Sequence, residues 1–139
     1  MPHFDKHFTL AEALALLPHI REIFLKIQKL FDEAREGHKY LLKNPEELSS
    51  GRTNGDQKKH IPHRTRDELT NEINELVIEI ADRGIIMQDI YRGLIDFPAY
   101  VNGEEVFLCY ELNDGNKIKY YHNIDAGFAG RQPLPGDTE

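Results

Sequence analysis

The sequence predicts an α+β fold: a long antiparallel helical hairpin packed on a four-stranded antiparallel β-meander, with a C-terminal loop segment covering the other face. Two observations carry this. Apolar residues recur at helical spacing up to Ile80, and after Gly84 the period changes to two. Three turn signals, Arg92-Gly93, Asn102-Gly103 and Asp114-Gly115, then cut the remaining chain into short segments of strand length.

The first helix opens at "FTLAEALALL". Thr9 stands where a cap is needed, Glu12 follows three residues later, and Phe8 is placed to staple the entry. Leu17, Ile20, Phe24, Ile27, Phe31 and Ala34 form one apolar stripe. Pro18 falls inside the pattern and predicts a kink, because it lacks the donor that an interior turn requires. The helix is expected to pass Gly37, reach Tyr40 or Leu42, and stop before Pro45. A long loop, residues 44–62, rich in Asn, Ser, Gly and Pro, comes next. The second helix starts at Thr65 with Glu68 three residues on, and its stripe is Leu69, Ile73, Leu76, Val77 and Ile80. Gly84 reads as its C-terminal cap.

The strands are expected at Ile85–Tyr91, Leu94–Val101, Glu104–Leu112 and Lys117–His122. Asn102-Gly103 and Asp114-Gly115 suit two-residue turns with positive φ at both central positions. Pro98 conflicts with an inner strand, which predicts a first strand too short to reach it, or a bulge. At 139 residues the chain reads as a single domain, with 1–84 the hairpin and 85–139 the meander and C-terminal lid.

A net charge of -7 and a pI near 5.5 leave no nucleic-acid footprint. No apolar run approaches membrane-spanning length, and "MPHFDKHFTL" has no signal-peptide core. A single cysteine, Cys109, fits a reducing compartment. A cytoplasmic protein with no membrane or nucleic-acid partner is expected.

Two-residue turns set the register. They place Asp96 opposite Cys109, Cys109 opposite Tyr120 and Asp89 opposite Asp96, with His122 on the same face. That face also carries Met87, Leu94, Phe107 and Ile118. The opposite, core face carries Ile86, Ile90, Ile95, Phe97, Val106, Leu108, Tyr110 and Leu112. An acidic row framed by apolar residues predicts a covered cleft. The cover is either "DAGFAGRQPL", with Phe128 as its anchor, or a dimer partner.

The blocks "FTLAEALALLPHIR", "GLIDFPA", "VFLCYEL" and "HNIDAGFAGRQPL" resemble the bacterial family known as domain of unknown function 2203, over nearly the whole chain. The resemblance implies no activity. It implies that Asp96, Cys109, His122, Gly127, Gly130 and Arg131 belong to the family pattern. Tyr110 stands where the family often has tryptophan, and Tyr121 where another aromatic is common. The loop 44–62 has no counterpart in the resemblance.

Each candidate has a plain reading beside its functional one. His122 with Asp89, Asp96 and Asp125 offers imidazole and carboxylate ligands to a divalent metal. The plain reading is a cross-strand hydrogen bond that satisfies polar groups under cover. Arg131, with Gly127, Gly130 and Tyr120, offers a planar fork and backbone donors to a small anion. Its plain reading, an ion pair with Asp89 or Asp96, is favoured. Cys109 is a possible thiol nucleophile with His122 as base, but a strand-interior cysteine is usually a small buried hydrophobe. Asp89 and Asp96 together suit acid–base work, yet no leaving-group or sugar-binding set accompanies them. The basic run at residues 51–66, with His60 and His63, reads as a solvated loop. Two functions follow: a metal-ion or small-anion binding domain using an Asp/His/Arg cleft, or a non-catalytic interaction module whose helical hairpin pairs with a partner or forms a homodimer.

Overall fold

The computed structural model describes residues 2–45 and 64–135. Most of the predicted loop 44–62, and with it His60 and His63, lies outside the described residues. Helix α1 spans Leu10–Lys43 and α2 spans Arg66–Ala81. Both begin with complete capping boxes, Thr9 with Glu12 and Thr65 with Glu68, so two orphan N–H groups at each start are satisfied reciprocally. α1 runs on through Pro18. α2 closes two residues before Gly84. Its C-cap is Asp82, and Gly84, at φ +90°, turns the chain toward the sheet. The helices are antiparallel: His19 of α1 meets Glu79 of α2 at 2.8 Å, while Arg64 just before α2 pairs with Glu33 and Glu72. No helix among the described residues is long and apolar enough to cross a membrane.

The sheet has five antiparallel strands rather than four, in chain order: β1 Ile86–Asp89, β2 Leu94–Val101, β3 Glu104–Tyr110, β4 Tyr120–Asn123 and β5 Gln132–Pro133. The Asn102-Gly103 turn forms as expected. Both residues have positive φ, 53° and 82°, and Val101 pairs with Glu104 across it. The register that follows puts Asp96 opposite Cys109. The Asp114-Gly115 expectation is right in register and wrong in form. Cys109 pairs with Tyr120, yet β3 ends at Tyr110 and a short 3-10 turn at Leu112–Asp114 fills part of the connection. Ile118 therefore lies outside the strand and joins the core instead of the Asp face.

The first turn departs from prediction. Asp89 pairs with Leu94, not Asp96, and Ile86 takes the place opposite Asp96. The cause is Asp89 itself. Its Oδ1 accepts the Tyr91 and Arg92 N–H groups at 3.0 and 3.2 Å, which winds a four-residue loop in place of a two-residue turn. A bulge between Met87 and Asp89 absorbs the difference. Met87 consequently packs against the core, and Ile86 moves to the Asp96 face. The Pro98 conflict resolves as anticipated. The first strand reaches only Asp96, and the Pro98 carbonyl receives Phe8 N–H at 2.7 Å from the segment entering α1.

The core lies between α1, the end of α2 and one face of the sheet. Leu17, Ile20, Phe24 and Ile27 meet Ile80, Ile95, Phe97, Leu108 and Tyr110. Burying that many large side chains stabilises the assembly by roughly 1.5–3 kcal/mol each. Tyr110 is wholly buried, and its hydroxyl donates to Gly115 O at 2.6 Å while Arg21 donates to it at 3.1 Å.

Candidate functional site

The strand pairings bring three chemically distinct side chains together on the face away from the helices. Asp96 on β2, Cys109 on β3 and His122 on β4 each offer a ligand atom, and those atoms lie within 4.8 Å of one another. All three residues are buried, at 1%, 1% and 3% exposure. Asp96 and Cys109 are direct cross-strand partners, while His122 stands opposite Phe107, one step along the same face.

His122 Nε2 lies 3.1 and 3.2 Å from the two Asp96 carboxyl oxygens. Its Nδ1 lies 3.0 Å from the Asn123 carbonyl. A carbonyl only accepts, so Nδ1 carries a proton in this bond, and Nε2 is the nitrogen turned to the cluster. The contact to Asp96 then needs one further proton, on the carboxyl or on Nε2. Gln88 of β1 donates to Asp96 Oδ2 at 2.8 Å. Burial pushes the Asp96 carboxyl up from its ordinary value, against the charge of His122 and hydrogen bonds from Gln88, His122 and Cys109. Burial, with the nearby Asp96 charge, pushes the Cys109 thiol up to about 12. A thiol held that high is no nucleophile at neutral pH, which agrees with the plain reading of Cys109 taken alone.

Other predicted residues are placed differently. Asp89 is occupied in the turn before β2, and Asp125 is exposed and outside the cluster. Arg131 contacts neither Asp89 nor Asp96. Its guanidinium carbon lies 4.3 Å from the Tyr120 ring centroid and 3.9 Å from that of Phe128, and its charge works against the upward push of burial on the thiol of Cys109, the cross-strand partner of Tyr120. Gly127 and Gly130 bound a 3-10 turn, Phe128–Gly130, closed by Gly130 N–H to Gly127 O at 3.0 Å. The Gly130 N–H is thereby committed within the turn. Beyond the turn the chain joins the sheet. Gln132 and Pro133 pair with Tyr121 and Tyr120 and add a strand at the sheet's edge. Phe128 is half-buried, with Arg92 4.5 Å from its ring centroid as well.

One end of the face is covered instead by the N-terminal segment. Phe4 packs on Phe107 at 5.2 Å between ring centroids, and Phe107 packs on His122 at 5.3 Å. Glu105 ties this segment down by accepting from His3 N–H, His3 Nδ1, Phe4 N–H and His7 Nε2. His7 stacks on Tyr100 at 4.4 Å. Sequence reasoning missed Gln88, Glu105, His3 and His7. The Asp-x-x-x-Gly spacing from Asp89 to Gly93 marks the turn that would have found Gln88. No local pattern links His3 and His7 to a glutamate near residue 105.

An antiparallel sheet backed by a helical hairpin, with a buried carboxylate, thiol and imidazole on its other face, defines a small α+β protein with a compact ligand-type cluster. The chain belongs to the family described as an uncharacterized conserved protein, domain of unknown function 2203, whose model matches residues 6–134. Comparison with curated proteins and with solved structures finds no match.

Proposed function

We propose that the protein binds a divalent transition-metal ion through Asp96, Cys109 and His122. The observation that carries this reading is the convergence of one oxygen, one sulfur and one nitrogen donor in a buried place, all within 4.8 Å. Donors held at roughly 2.0–2.3 Å around a tetrahedral ion lie about 3.3–3.8 Å apart, so only small side-chain adjustments separate the cluster from a coordination shell. A second feature agrees with it. The Nδ1–H of His122 is anchored on a backbone carbonyl, the outer bond that metal-ligating histidines commonly make. Gln88 supplies the corresponding bond to the carboxylate. The mixed donor set suits zinc, and three protein ligands leave a fourth position for water or a ligand. Binding displaces the Cys109 proton and the proton shared by Asp96 and His122.

Titration of the purified, metal-stripped protein with cobalt(II) tests this. A thiolate-to-cobalt band and visible absorption saturating at one equivalent are expected, lost in Cys109→Ser and His122→Gln. Elemental analysis of protein purified without chelator should find the native metal. A wild-type protein that takes up neither cobalt nor zinc rejects the reading.

Self-association through the helical hairpin is a second reading. It is supported by Leu25 and Ile78, which are 50% and 54% exposed on α1 and α2. Sedimentation at high micromolar concentration showing monomer alone would dismiss it.

A further inference from the structure

Arg131 stands beside the cluster. Arg35, Arg64, Arg83 and Arg92 each pair with a carboxylate. Arg131 pairs with none among the described residues, in a protein whose net charge is -7. Its position is nevertheless well defined. The backbone leaves the Phe128–Gly130 turn and enters β5, whose pairing to Tyr120 and Tyr121 fixes where the side chain begins. The guanidinium is packed on two rings, one of them that of Tyr120, the cross-strand partner of Cys109. The rings leave it little freedom and supply no acceptor for its five N–H donors. A second cation, Arg92, packs on the same Phe128 ring and is committed to Glu111 at 2.9 Å.

We propose that Arg131 is the recognition residue for an oxyanion, a carboxylate or phosphate group of a small molecule, bound beside Cys109 at the open position of the metal. The proposal rests on the metal reading of the same cluster. Charge points to an anion rather than a neutral ligand. The two charges of the ion are balanced by the Asp96 carboxylate and the Cys109 thiolate, with His122 neutral. The charge of Arg131 is then uncompensated and half-buried, over the ring of the residue that pairs with the Cys109 ligand. A single oxyanion completes the coordination, neutralises the guanidinium and accepts its in-plane pair of N–H groups. Tyr120 and Phe128 act as positioning residues that hold the fork toward the site.

The test uses full-length protein loaded with one equivalent of cobalt(II), titrated separately with acetate and with methylphosphonate while visible absorption is followed. A saturable spectral change is expected with at least one of them, and the responding anion distinguishes a carboxylate ligand from a phosphate ligand. Arg131→Met should keep the cobalt spectrum of the unliganded protein but bind the anion at least about tenfold more weakly. Arg131→Lys should fall between, since lysine keeps the charge and loses the fork. Circular dichroism confirms that the variants are folded, and the lysine variant serves should methionine disturb the turn. A normal cobalt spectrum that neither anion alters, or anion binding by Arg131→Met with wild-type affinity, overturns the anion proposal and leaves the metal reading intact. Failure of the wild type to take up cobalt overturns both, and is seen before any anion is added.

Discussion

His122 Nε2 rests 3.1 Å from Asp96 Oδ1, while Nδ1 of the same ring holds the Asn123 carbonyl. The contact spans β2 and β4, with β3 between them contributing Cys109. Three adjacent strands thus each place one donor at one point.

Asparagine can reproduce the hydrogen bonding of a protonated Asp96. Its amide N–H can donate to His122 Nε2, and its oxygen can still accept from Gln88. Asp96→Asn should therefore unfold within about 1 kcal/mol of wild type. Its metal affinity should fall by more than the roughly 10–100-fold that loss of an outer partner costs. Asp96→Ala leaves the buried His122 Nε2 unpaired and should cost about 1–3 kcal/mol. Denaturant melts and cobalt titrations of both variants decide it. Equal instability of the two variants would show that the carboxylate serves the fold by its charge.

The N-terminal segment is held chiefly by Glu105. Burial opposes ionisation there, but hydrogen bonds from the backbone and imidazole of His3, from His7 and from Phe4 N–H outweigh it and hold the carboxyl at about 2. A carboxyl whose folded value lies below its unfolded value of 4.5 contributes stability that is complete above pH 4.5 and lost as pH falls toward 2. Glu105→Gln should lower the melting temperature at neutral pH and flatten its dependence between those pH values. It should also raise proteolysis of residues 2–8, read by mass spectrometry. An unchanged acid limb would place the tether elsewhere.

Arg21 Nη1 reaches Leu112 O and Gly115 O, both at 3.0 Å, and the Tyr110 hydroxyl. It joins α1 to the 3-10 turn between β3 and β4. Arg21→Met keeps the aliphatic stem but leaves Leu112 O without its charged donor, at a cost of about 1–3 kcal/mol. Tyr110→Phe should cost less, about 1 kcal/mol, because Gly115 O retains Arg21 as a donor. Urea denaturation of both variants tests the ranking, and the reverse order would contradict it.

Glycines in two turns should differ sharply. Gly103 has φ +82° and nothing within 4 Å of a built Cβ, so Gly103→Ala carries backbone strain alone, about 1 kcal/mol. Gly93 has φ +65°, and a Cβ there would meet Leu112 Cβ at 2.8 Å with Phe24 beyond it. Gly93→Ala adds overpacking, typically about 1–3 kcal/mol, to the same strain. Similar thermal shifts for the two variants would mean that the first turn yields more readily than its packing implies.

Much of the site was legible because alternation and one strong turn are local. Asn102-Gly103 alone puts Asp96 across from Cys109, and counting back from Asp114-Gly115 carries the row on to Tyr120. The β1 error came from reading Arg92-Gly93 as a two-residue turn, when the Asp89 carboxylate at the strand's end holds the backbone of a longer loop and shifts the pairing. Cys109 looked like packing because a thiol in a strand says nothing of its neighbours. Only the pairing of three strands shows that it shares a point with Asp96 and His122. Arg131 was expected on the aspartates because charge suggested it, and the rings of Tyr120 and Phe128 were the stronger local partners. The contacts of Glu105 with His3 and His7 span about a hundred residues and leave no periodic trace.

Cys109 should be nearly inert until the site opens. Its side chain is 1% exposed, and burial beside Asp96 pushes its thiol up to about 12. At pH 8 the thiolate fraction is then about one in ten thousand, against roughly a quarter for an unperturbed cysteine. Alkylation by iodoacetamide proceeds through the thiolate. The native protein should therefore label at least about a thousandfold more slowly than the same chain in denaturing urea. Labelling should respond to local opening, so Glu105→Gln, which loosens the segment over Phe107 and His122, should speed it. Zinc should slow labelling in that variant, because a coordinated sulfur is both held and shielded. Rapid labelling of the folded wild type would show that Cys109 is open to solvent. An absence of zinc protection in the loosened variant would show that its sulfur is no metal ligand.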